Sequence, residues 1–285
     1  MPSTTAQLPP VIDVGELESL QVEYDDALRI VDIRWALDGS KGVQDHLAGH
    51  VPGAVYVDLE TALAAAGSPT AGRHPLPDPL KFARAMRHAG IGDDTVTVAY
   101  DDTDGSQASR LVWLLRATGM RAALLDGGLT AWTARHGVEQ LASGPVSVRP
   151  AEFTARPWMS DAIAGIDEVD PERASILDAR VHERFTGETE PIDPRAGHIP
   201  GAVNVPFTEN VDEDGQFLSK KKLRKRFQAA GLERSDDIIV YCGSGITATH
   251  SLLALERAGF SRARLFPGSW SQWSSDRRRR VATGD

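Results

Sequence analysis

The chain has a single cysteine among its 285 residues, Cys242. One thiol forms no internal disulfide and no cysteine-rich metal site, which fits a reducing compartment. Positive charge is also short: 31 Lys and Arg stand against 40 Asp and Glu, a net charge of −9. That balance argues against nucleic acid or an anionic membrane as a partner. No apolar run reaches the ~18 residues that a membrane-spanning helix needs. The opening stretch, MPSTTAQLPPVIDVGEL, has neither a basic leader nor a long apolar core. No group of His, Asp and Glu has metal-ligand spacing, so neither metal nor cofactor is expected. These absences lead to the expectation of a cytoplasmic protein without a nucleic-acid or membrane partner.

What is present is a text written twice. AGHVPGAVYVDL (Ala48 to Leu59) recurs as AGHIPGAVNVPF (Ala196 to Phe207), and IVDIR (Ile30 to Arg34) recurs as ILDAR (Ile176 to Arg180). Downstream, FARAMRHAGIGDDTVTVAYD (Phe82 to Asp101) matches LRKRFQAAGLERSDDIIVYC (Leu223 to Cys242). LLDGGLTAW (Leu124 to Trp132) likewise matches LFPGSWSQW (Leu265 to Trp273). Four blocks in one order and at nearly constant offset mark a tandem duplication. The expected domains are 1–140 and 160–285, joined by a Pro-, Ser- and Gly-rich linker over 141–159. A 41% hydrophobic content is enough to fill two cores.

In the second half, SILDA, AVNVP, DIIVYC and RARLFPG read as strands. SKKKLRKRFQAAG and TATHSLLALERAG read as helices, stopped by Gly231 and Gly259. Strands alternating with helices predict an α/β fold, a mainly parallel sheet with helices on both faces. Functional loops of such sheets lie at the carboxyl ends of the strands, where Cys242 falls. Gly243 and Gly245 let the backbone turn and aim amide N–H groups at the sulfur, and a helix is expected to start near Thr247. Such a nest suits an anion and favours the nucleophilic thiolate. The first half has Asp101 at the equivalent place, where a carboxylate is expected to sit poorly and no thiol chemistry is available. Chemistry is therefore expected in the second half only.

These marks together resemble the tandem-domain rhodanese family of sulfurtransferases: two GH-[VI]-PGA segments, LDAR, DGG…W and a six-residue loop opening on the second domain's cysteine. The loop, CGSGIT (Cys242 to Thr247), is similar to that of the 3-mercaptopyruvate sulfurtransferase branch. Thiosulfate-type loops generally carry basic residues, and this one has none, so a donor with one carboxylate is favoured. The resemblance implies two rhodanese-like domains and two-step transfer. Sulfur passes from a small-molecule donor to the cysteine as a persulfide, and then to a thiol acceptor such as thioredoxin, or to cyanide. It implies that Arg184 holds the donor, and that Arg195, shifted by about two residues from the family's usual place, acts as a second arginine. Ser244 would donate a hydroxyl to sulfur or substrate, or shape the loop. Asp58 would orient Ser244 or a proton-carrying water, and His74 would contact the donor's carboxylate. Gly243, Gly245, Ile246 and Thr247 complete the substrate-binding loop, while Asp178 and Arg180 would form a supporting pair.

Two other classes are set against this reading. A cysteine phosphatase needs an arginine about six positions after the cysteine to clamp phosphate, and Ala248 stands there. A non-catalytic sulfur carrier would keep the loop but stop after one equivalent. Thiosulfate remains the alternative donor. A thiol-redox role lacks a resolving cysteine.

Overall fold

The computed structural model describes residues 8–284; residues 1–7, the start of the opening stretch, and residue 285 lie outside it. The first half builds a five-stranded sheet from β1 (Val11–Ile12), β2 (Leu28–Asp32), β3 (Val55–Tyr56), β4 (Val96–Tyr100) and β5 (Ala122–Leu125), in the order β1-β5-β4-β2-β3. The second builds a four-stranded sheet from β6 (Ser175–Asp178), β7 (Val203–Asn204), β8 (Ile238–Tyr241) and β9 (Ala263–Leu265), in the order β7-β6-β8-β9. All pairings between these strands are parallel, with Asp32 opposite Tyr100 and Asp178 opposite Tyr241 at matching positions. The place of β1 is kept in the second sheet only as a bridge from Ile163 to Leu265.

The central strands β4 and β8 are buried along their whole length, which is why they read as continuous apolar runs rather than alternating ones. Gly259 ends the helix Thr247–Ala258 in the left-handed conformation expected of such a stop. The helix Ala108–Arg116 is buried from Ala108 through Leu115. Covered on every side, it has no polar face to solvent. It packs against the helix Thr247–Ala258, and the hydroxyls of Ser109 and Thr249 meet at 3.1 Å. One apolar core therefore runs through both halves, from Phe82 and Leu111 to Leu223 and Leu253, while each half keeps a smaller core on its other face. This arrangement turns the loop after β8 towards the first half.

The repeated histidines have structural partners. His50 Nδ1 pairs with the carbonyl of His46, and His198 Nδ1 with that of Phe185. In the basic run DRRRR (Asp276 to Arg280) the side chains of Arg277, Arg278 and Arg280 are exposed, while Arg279 lies over the Trp273 ring, 4.9 Å from its centroid, and pairs with Asp167. Among the described residues no helix is long and apolar enough to cross a membrane, and no cluster of His, Cys, Asp and Glu is arranged to hold a metal.

Candidate active site

The β-branched run Ile238-Ile239-Val240 drives β8 into the sheet, and the chain then breaks at Cys242–Ile246 before the helix begins at Thr247. Gly245 has φ +83°, and a Cβ there would stand 2.5 Å from the carbonyl oxygen of Pro267, so this position requires glycine. The loop is held from below by the segment that repeats LDGG as FPGS. Ser269 Oγ accepts the Cys242 N–H at 3.2 Å and donates to the Phe266 carbonyl at 3.0 Å. The amides of Trp270 and Ser271 reach the carbonyls of Cys242 and Gly243, each at 2.9 Å. Ser269 takes φ +51°, an unusual conformation for a residue with a Cβ, and its equivalent Gly128 has φ +52°. The side-chain bonds that Ser269 makes on both sides hold it there.

Cys242 is 1% exposed, yet its side chain does not end in sealed hydrocarbon. It lines a cavity of about 200 Å³ that also takes in Trp35, Arg73, His74, Arg180 and Arg184, together with Gly243, Ser244, Ile246 and Thr247. The amide of Gly245 points at Sγ at 3.1 Å. The expected convergence of several amides on the sulfur thus reduces, among the described contacts, to this one donor.

The first half enters this cavity through the loop around Arg73. At Gly72 the two halves touch backbone to backbone, since a Cβ there would meet the Gly268 carbonyl at 2.5 Å. The Arg73 N–H bonds Ser271 Oγ at 2.9 Å. His74 follows, buried, with Nδ1 2.8 Å from Ser244 Oγ and Nε2 3.2 Å from Glu60 Oε1. A carboxylate only accepts, so Nε2–H donates to Glu60 and Nδ1 is left to accept the Ser244 hydroxyl. Burial lowers the His74 pKa from its ordinary value, opposed by the Glu60 charge, so the neutral ring is the form at neutral pH. Ser244, His74 and Glu60 make one chain across the interface.

Two expected residues stand elsewhere. Asp58 does not reach Ser244. It caps the short helix Leu59–Ala62, its Oδ1 accepting the N–H and hydroxyl of Thr61 at 2.8 and 2.7 Å, and it lines a different cavity. The pattern Asp-Leu-Glu-Thr carries that capping signal, and it leaves Glu60 as the acid that reaches His74. Arg195 is not a second donor arginine. Its guanidinium is taken up by the carbonyls of Trp273, Ser274, Asp276 and Arg279, at 2.7 to 2.9 Å, where it closes the end of the helix Ser269–Ser275.

Arg184 does line the cavity, with its Nη2 paired to Glu190 at 2.6 Å and Asp193 at 3.1 Å. Asp193 is shared with Arg73 Nη1 at 2.6 Å. Arg180 pairs with Asp178 at 2.6 Å and Glu190 at 3.3 Å, and lies over the Trp270 ring. Beneath the loop sits Arg110 of the first half, fully buried. Its donors go to the carbonyls of Leu63, His74, Pro75 and Gly245 and to no carboxylate. Burial pushes its pKa down to about 10, with the charge of Cys242 acting the other way. Glu60, Arg73 and Arg110 carried no local sequence signal, because each acts across the contact between the halves.

A thiol at the floor of a cavity, ringed by guanidinium groups and backed by a hydroxyl-imidazole-carboxylate chain, is equipped for nucleophilic transfer. A family model, the Rhodanese-like domain, matches residues 13–135 and again 159–276. The chain belongs to that family and is a tandem-domain sulfurtransferase. It is 46% identical over 90% of its length to a Pseudomonas aeruginosa protein provisionally named 3-mercaptopyruvate sulfurtransferase, of which 93% is covered. It is 39% identical over 96% of its length to a Mycobacterium tuberculosis protein that carries the provisional name thiosulfate sulfurtransferase SseB, of which 97% is covered. The solved structure of the Escherichia coli 3-mercaptopyruvate sulfotransferase SseA superposes with a TM-score of 0.80 at 36% identity, covering 92% of this chain and 99% of that one.

Proposed function

We propose that the protein moves sulfur from 3-mercaptopyruvate to a thiol or cyanide through a persulfide on Cys242. The observation that carries this reading is that the chain's one thiol opens onto the cavity where Arg184 stands. The Cys242 thiolate attacks the donor's sulfur, an S–S bond forms, and the C–S bond breaks with its electron pair leaving as the enolate of pyruvate. That carbon leaving group needs a proton, and the chain from Ser244 through His74 to Glu60 is the proton path beside it. An acceptor thiolate or cyanide then attacks the outer sulfur and releases Cys242. Arg184 offers a fork to the donor's carboxylate. In this reading the catalytic domain is 160–285, the first domain, 1–140, shapes the cavity, 141–159 links them, and the reducing setting is the cytoplasm.

Among the cavity's groups, Arg73, Arg180 and Arg184 are matched by Asp178, Glu190 and Asp193. That near balance suits a donor with one carboxylate better than a dianion. The relative named for thiosulfate keeps that donor as the second reading. The test is kcat/KM for mercaptopyruvate and thiosulfate side by side, with pyruvate release followed over many turnovers. A thiosulfate preference overturns the donor, and release of one equivalent only makes the protein a carrier. Arg184→Ala is expected to raise the donor's KM roughly 10- to 100-fold; an unchanged KM removes it from the site.

A further inference from the structure

We propose that the cavity between the edge strand β3 and the helix Pro79–His88 of the first half binds a small organic cation, an apolar body ending in a guanidinium or ammonium group. This cavity, of about 420 Å³, shares no lining residue with that of Cys242. Leu47, Val55, Ala85 and the linker residues Val146 and Val148 give it apolar walls. A volume of this size with a few convergent polar groups is the usual make-up of a small-molecule site. Those polar groups are His46, Tyr56, Asp58 and His88, and the lining includes no lysine or arginine. Asp58 gives Oδ1 to Thr61, while Oδ2 meets only the Tyr56 hydroxyl, at a long 3.4 Å. His46 is 3% exposed, with Nδ1 3.0 Å from Asp32 Oδ2. A carboxylate only accepts, so Nδ1–H donates to it. Nε2 then has no partner among the described contacts, and in the neutral ring it carries a lone pair. His88 likewise donates from Nδ1 to the Arg84 carbonyl at 2.7 Å, which leaves a lone pair on its Nε2. Burial, and then the charges of Asp58, Asp32 and Asp45, push the Tyr56 pKa up, the sign of a negative potential at this end. Acceptors without a cation, set in an apolar cavity, call for a donor that brings positive charge. Among the described residues no group of His, Asp and Glu is arranged to hold a metal, so the cation is an organic one.

The second half shows what this place takes. In the repeated blocks Ala85 corresponds to Arg226, while Tyr56 and Asp58 correspond to Asn204 and Pro206. Arg226, on the helix Lys220–Ala229, reaches the Pro206 carbonyl at 2.9 Å, Asn210 Oδ1 at 2.8 Å and Glu209 Oε2 at 2.9 Å. That copy carries a guanidinium on its own chain. The first copy has only the methyl group of Ala85 there, and the carboxylate of Asp58 at the position of Pro206. It has room to take from solution the cation that the second copy supplies itself.

The experiment titrates the full chain by calorimetry with 2-phenylethylguanidinium, 2-phenylethylammonium, 2-phenylethanol and 3-phenylpropionate, which share a phenyl ring and differ in head group. Both cations are expected to bind saturably, about 10-fold or more tighter than the alcohol and the carboxylate. Asp58→Asn keeps a helix cap and removes the charge, and is expected to weaken the cations roughly 10-fold or more. Ala85→Arg builds the second copy's guanidinium into the cavity, and is expected to abolish cation binding while sulfur transfer stays at the wild-type rate. Asp58→Asn carries the test alone should Ala85→Arg not fold. Failure of both cations to bind saturably overturns the proposal, and so does equal binding of the alcohol. Wild-type cation affinity in either folded variant also overturns it, since the cation would then sit elsewhere.

Discussion

The loop after β4 and the loop after β8 are the same device with different contents. In the first, Asp101 is fully buried and its carboxylate accepts the amides of Thr103, Gly105, Gln107 and Ala108 and the hydroxyl of Thr103, at 2.9 to 3.0 Å. Burial pushes its pKa up from the carboxylate range while these amides pull it down; with every hydrogen bond arriving as a donor, the geometry fits the ionised form. The expectation that a carboxylate sits poorly in this nest is wrong, because the amides turn inward onto it. In the second loop, Cys242 receives one amide and the rest of the space is cavity. One copy carries its anion covalently and is closed. The other is left open for an anion that arrives with the reaction.

The largest effect should come from making the second loop like the first. Cys242→Asp is expected to abolish sulfur transfer while the melting temperature stays at or above that of the wild type, as the carboxylate gathers the loop amides. A large drop in melting temperature would mean that the loops are not equivalent. The reverse break, Asp101→Ala, strands four loop amides, of which those of Gly105 and Ala108 are buried, and should cost about 3 kcal/mol by denaturant unfolding; a loss under about 1 kcal/mol would deny the nest its role.

The contact between the halves gives a third prediction. His250, fully buried with Nε2 3.1 Å from the Asp104 carbonyl, has its pKa pushed down to about 4 by burial. Its folded pKa lies below the unfolded value of about 6.5, so the stability it supports is present above that value. That stability is lost progressively as pH falls from about 6.5 to about 4, by about 3 kcal/mol in total. His250→Phe should flatten the urea-unfolding free energy over that window; an unchanged pH dependence contradicts this. The smallest effect should be that of Ser269→Gly, which relieves the positive φ and removes the bond to the Cys242 N–H. Stability is expected to move by about 1 kcal/mol or less while kcat falls several-fold, and an unchanged kcat would show that this bond does not hold the nucleophile.

Local patterns made much of this legible. The duplication, the apolar strands, Gly259 as a helix stop and the glycine-broken loop at Cys242 all follow from near-neighbour chemistry, and the structure places Arg184, His74 and Ser244 together in the cavity. What could not be read depended on docking. Glu60, Arg73 and Arg110 reach the loop only because the two helices Ala108–Arg116 and Thr247–Ala258 pack and turn one half onto the other. Asp58 and Arg195 were misplaced for a related reason: each lies close in sequence to a site residue, but a helix cap claims the first and a helix end the second.

The most direct test is intact-protein mass spectrometry after brief exposure to mercaptopyruvate without an acceptor. The wild type should gain one sulfur atom, on the peptide containing Cys242 and lost on addition of a thiol or cyanide, with pyruvate released in equal amount. Pyruvate release without any added sulfur on that peptide, or the same gain in Cys242→Ser, would contradict the account.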